Sequence, residues 1–103
     1  MQETFSARRR PFAVPASLDE LDGPSASGNI VLPSHLDWSS RRSYDLDDPR
    51  DRRRVYEIVL REGTLDDLRR YVGAEELVAI FDVLFLPQDI HDAWRQLITE
   101  RVA

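Results

Sequence analysis

Cysteine is absent from this 103-residue chain, which excludes disulfides and thiolate metal sites. Lysine is absent as well, and all fourteen basic residues are arginine. That usage fits a high-GC genome, and it supplies planar forks suited to two-bond contacts with carboxylates or phosphates. Only four glycines are present, and none forms a phosphate-cradling loop or flanks a serine as a nucleophile elbow does. No apolar run is long enough to span a membrane. The opening Met1-Gln-Glu-Thr-Phe-Ser6 is polar and lacks the apolar core of a secretory signal, so a cytoplasmic location is expected.

What is present has room for one domain. The net charge of −5 is unevenly placed. Residues 1–43 carry five arginines and five acids, whereas residues 44–103 carry nine arginines and fourteen acids. An acidic body is a poor nucleic-acid binder and a plausible partner for a basic protein. The same boundary divides the chain by pattern. Residues 1–43 read as a partly disordered N-terminal arm and linker, and residues 44–103 as a helical domain. In the arm, Pro11 and Pro15 disfavour helix after Arg8-Arg9-Arg10. Ser17-Leu-Asp-Glu20 has capping-box spacing and predicts one helical turn, ending near Gly23-Pro24. Ile30 to Trp38 is apolar, broken by Pro33, and reads as extended.

The body predicts an all-α bundle of three or four short helices. Asp48 and Pro49 mark a helix start, and Gly63 predicts its end in a left-handed cap. Within it, Val55, Ile58 and Val59 form one stripe, and Tyr56 with Leu60 a second, so neighbours are expected on two sides. Thr64 can cap a short second helix over Leu65–Val72, with Leu65, Leu68 and Val72 inward. A third is expected over Ala74–Phe85, although a strand at Val83–Leu86 is also compatible with so apolar a run. Pro87 ends that run. A fourth, over Gln88–Arg101, places Ile90, Ala93, Trp94, Leu97 and Ile98 on one face.

Nothing in the pattern points to catalysis or to a cofactor. Asp45, Asp47, Asp48 and Asp51 lack the bend glycine and closing acid of a calcium loop, and capping accounts for Asp48 and Asp51. His35 and His91 have no ligand-spaced companion. Arg50, Arg53 and Arg54, with Arg52, make a basic cluster, read first as ion pairing with nearby acids and second as a nucleic-acid contact. The helix pairs around Gly63 and Gly73 have helix-turn-helix spacing. The second helix of one begins with two acids and that of the other is too apolar for a groove, which argues against direct DNA reading. The positive signal is surplus apolar surface: Ile30, Val31, Leu32, Leu36 and Trp38 in the arm, plus nine apolar residues in ten from Leu77 to Leu86. Either the arm covers the third helix, or one of them docks on another protein. Trp38, Arg41, Arg42 and Tyr44 are the expected anchoring strip, followed by the surface carrying Leu77, Phe81 and Phe85.

From Leu18 to Trp94 the pattern resembles a family of small actinobacterial proteins. It runs Leu21-Asp-Gly-Pro24, Leu36-Asp-Trp-Ser39, Tyr44-Asp-Leu-Asp-Asp-Pro-Arg-Asp51, Val59-Leu-Arg-Glu-Gly-Thr64 and Asp67-Leu-Arg-Arg-Tyr71. Members of that family are typically encoded beside a nucleotidyltransferase toxin of the abortive-infection AbiEii type. The resemblance implies a non-enzymatic antitoxin whose partner is that toxin. A DNA-binding autoregulator of the same operon, or a helical adaptor, is the alternative.

Overall fold

The computed structural model describes residues 12–21, 23, 28–37 and 43–102. The order is a 3-10 turn at Leu18–Glu20, strands β1 (Asn29–Val31) and β2 (Ser43–Asp45), then α1 (Pro49–Glu62), α2 (Leu65–Tyr71) and α3 (Ala74–Ile80). A 3-10 turn at Phe81–Val83 and helix α4 (Gln88–Val102) complete it. The fold is mostly helical, and the expectation of a purely α architecture needs correction. β1 and β2 pair antiparallel, with Ile30 opposite Tyr44. The Leu46 N–H to the Gly28 carbonyl, at 2.8 Å, extends the ladder. Three-residue strands show no alternation to read, and the second is masked in sequence by the acid run beside it.

α1 spans the predicted residues because its ends are chemically marked. The Asp48 carboxylate accepts the Arg50 N–H at 2.9 Å, and Pro49 supplies a preset φ at the first helical position. The acid run is a framework for backbone groups. Asp45 accepts from Asp47, Asp47 from Gly28, and the inward-turned Asp51 from Asp45, the last at 2.9 Å. Asp51 thereby ties β2 to α1, a role its place in the first turn does not disclose.

At the other end the left-handed cap is absent. Gly63 sits at φ −80°, ψ 154°, an ordinary extended conformation. Its glycine is needed for space: a Cβ there would lie 2.7 Å from the Val59 carbonyl oxygen and 3.1 Å from Asp67 Cβ. Thr64 then opens α2 with a reciprocal capping box to Asp67. Tyr56 reaches from α1 to the next corner, where its hydroxyl accepts the Gly73 N–H at 3.1 Å.

One core joins arm and body. Leu18, Leu21, Leu32 and Leu36 are buried with Val55, Tyr56, Leu60, Leu68, Leu77, Ile90 and Trp94. The wide apolar arc of α1 meets α2 and β2, two neighbours as expected. Backbone bonds stitch the arm to the α2–α3 corner: Gly23 N–H to Val72 O at 3.2 Å, and Ala74 N–H to Leu21 O at 3.4 Å. A Cβ on Gly23 would stand 2.8 Å from the Val72 backbone. α4 buries Ile90, Trp94 and Leu97, with Ala93 and Ile98 half-buried at the margins of the same face.

Candidate interaction surface

The run from Leu77 to Leu86 has more apolar side chains than one helix face can bury. The chain resolves this by ending α3 at Ile80, tightening into the 3-10 turn, and running extended from Leu84 to Pro87. Leu77, Phe81 and Leu84 point inward and are buried, while Val83 and Phe85 are left 60% and 82% exposed. The predicted helix over Ala74–Phe85 is thus shortened, and Val83–Leu86 is not a strand. Proline at position 87 tolerates the start of α4, whose first turn closes with the His91 N–H on the Pro87 carbonyl at 2.9 Å.

The ridge is held at its base. The Phe85 N–H donates to Glu57 Oε2 on α1 at 2.8 Å. The buried Phe81 is stacked on His91 with ring centroids 5.0 Å apart, and the Arg95 guanidinium sits 5.3 Å from the Phe81 centroid. Arg95 also bonds Asp82 at 3.1 Å. The backbone around the exposed Phe85 is therefore anchored from both sides.

Glu57 belongs to the polar face of α1. Residues three, four and seven positions apart share a helix face, so Arg50, Arg53 and Arg54 lie on the same stripe. Arg50 and Arg54 are exposed and Arg53 is half-buried. None of the three makes an ion pair among the described residues, so the ion-pairing expected for this cluster is realised elsewhere. Arg52, on the other side of the helix, turns toward the body, bonding the Leu46 carbonyl at 3.0 Å and Glu76 at 3.5 Å.

Of the other residues expected to dock, Trp38, Arg41 and Arg42 lie outside the described residues. Tyr44 is buried, and its hydroxyl donates a short hydrogen bond to the buried Asp37. Leu77 and Phe81 are likewise committed to the core. Phe85 alone of the described docking candidates presents its side chain outward. Val83 beside it was not singled out in the sequence; the signal was the apolar surplus itself.

Two further polar clusters serve the fold. Burial pushes the Asp67 carboxyl up, but the Thr64 N–H, the His35 ring and the Thr64 hydroxyl outweigh it and hold the group below its ordinary 3.8. His35 Nε2 lies 2.9 Å from Asp67 Oδ2, linking the Pro33–Asp37 turn to α2. Near the C-terminus, Arg101 bonds Asp19 at 3.2 Å across a shallow groove bordered by Ser17, Leu97 and Glu100. Among the described residues no group of three His, Asp or Glu converges as metal ligands would, and no helix is long and apolar enough to cross a membrane. Comparison with protein families, with characterised proteins and with solved structures finds no match.

Proposed function

We propose that this chain is a non-enzymatic binding protein of the antitoxin kind, which neutralises a nucleotidyltransferase encoded beside it by docking on it. The observation that carries the reading is the Val83–Phe85 ridge: apolar surface left outside after the core has closed. The sequence resemblance supplies the partner. A nucleotidyltransferase must bind nucleotide and an RNA acceptor, so the face it works with should be electropositive. A chain of net charge −5 is drawn toward such a protein at long range and, docked beside that face, blocks it sterically.

The test is co-purification of the chain with the adjacent nucleotidyltransferase, alongside the transferase activity of the mixture. A stable complex with suppressed activity is expected. Absence of a complex at low salt rejects the docking mechanism. A second reading, a DNA-binding autoregulator, draws on Arg50, Arg53 and Arg54, which have no ion-pair partner among the described residues. It predicts a salt-dependent shift of promoter DNA by the chain alone.

A further inference from the structure

We infer that the Val83–Phe85 ridge and the Arg50–Arg53–Arg54 stripe form one epitope, and that its partner surface is an apolar socket bordered by carboxylates on a protein. The inference rests on the docking reading above and adds the place and chemistry of contact. A lone exposed apolar residue is ordinary. Here two stand together on a segment whose backbone is fixed by Glu57, so the knob is preorganised and little freedom is lost on binding. Glu57 shares a roughly 100° arc of α1 with the three arginines, as 3.6 residues per turn requires. The cationic stripe thus runs past the foot of the knob. Arg52, Arg69, Arg95 and Arg101 are ion-paired, whereas the three arginines of the stripe, like Arg70 on α2, have no ion-pair partner among the described residues. Aromatic and arginine side chains together are the usual anchors of protein interfaces.

The same patch fits single-stranded nucleic acid less well. Val83 has no ring face for stacking, and Phe85 alone offers no platform for successive bases. A second copy of the chain fits poorly too, because a two-fold contact through this patch would oppose one arginine stripe with another. Net charge governs approach over about a Debye length of 8–10 Å, whereas the stripe acts on carboxylates at contact. An acidic chain can therefore carry a basic epitope.

The experiment measures affinity of the full chain, Phe85→Ser and R50E/R53E/R54E for the purified adjacent nucleotidyltransferase by calorimetry. Val83→Ser and Phe85→Ala serve as milder companions, and circular dichroism checks that helicity is kept. Phe85→Ser and the triple reversal are each expected to weaken binding about tenfold or more, the size of a hot-spot loss. Binding that survives both unchanged overturns the epitope while leaving the docking function standing. No binding by the unaltered chain removes the function and the epitope with it. Single-stranded RNA binding or self-association that these same substitutions abolish would also overturn the assignment.

Discussion

Asp67 shows how much one side chain carries in so small a protein. Its carboxylate accepts from the Thr64 N–H and hydroxyl and faces His35, two contacts from a near neighbour and one from a distant part of the chain. Because its folded-state value is lowered, the stability it confers is present above about pH 4 and is lost as the pH falls through the lowered value. Asp67→Asn should therefore be less stable than the parent at pH 7, with the gap closing on acidification. Urea titrations at both pH values measure this, and an equal gap at pH 2 and pH 7 would refute it. Tyr56 works in the opposite sense. Burial pushes its phenol up from 10.0, against the Gly73 bond. Stability is full below the unfolded value of 10.0 and falls as the pH rises toward the raised folded one. Tyr56→Phe should cost about 1 kcal/mol at neutral pH, the worth of one hydrogen bond, and should be less sensitive to alkali. The residue types at 64 and 67 reveal a helix start, but a partner 32 residues away such as His35 leaves no trace in sequence spacing.

At the scale of elements, caps were the legible part. Asp48-Pro49 and Thr64 name their own helix starts because capping is a contact between near neighbours. Gly63 was misread for a physical reason: glycine at a helix end serves either a positive φ or a close approach, and the letter is the same. Here the approach to Val59 decides. Gly63→Ala should destabilise by about 1–3 kcal/mol through overpacking, seen as a lower thermal midpoint; an unchanged midpoint would show that the Val59 turn yields. The end of α3 was hidden because an unbroken apolar run has no period of its own. Its break at Ile80 is not forced by burial of that stripe, since Leu77, Phe81 and Leu84, at i, i+4 and i+7, would share a face of a continuous helix as well. In α4 the pattern was clean, and Trp94 lies with 0% of its surface exposed. Its indole N–H meets no acceptor among the described residues, so its contribution is packing rather than polar. Trp94→Ala should cost about 3–5 kcal/mol in chemical denaturation.

As a whole molecule, the chain divides by composition but not by packing. Four leucines from the first 43 residues lie in the same core as the helices. Burying one leucine fully contributes about 1.5–3 kcal/mol, so four approach the whole stability of a small domain, about 5–15 kcal/mol. A fragment of residues 44–103 is therefore expected to lack a cooperative thermal transition. Of the arm's own apolar surplus Leu32 and Leu36 are absorbed and Ile30 is half-buried, whereas Val31 stays exposed on β1 and Trp38 lies outside the described residues; the ridge beyond α3 carries the exposed aromatic. That place was half legible: the surplus could be counted from the letters and Leu77, Phe81 and Leu84 share a helical spacing, but how far Val83 and Phe85 stay outside depends on what the rest of the chain packs against them. Hydrogen exchange of the chain, free and mixed with the adjacent nucleotidyltransferase, tests the claim most directly. The account predicts slowed exchange across residues 83–86 and the first turns of α1 in the complex. A complex that forms while those amides exchange as in the free chain would contradict it.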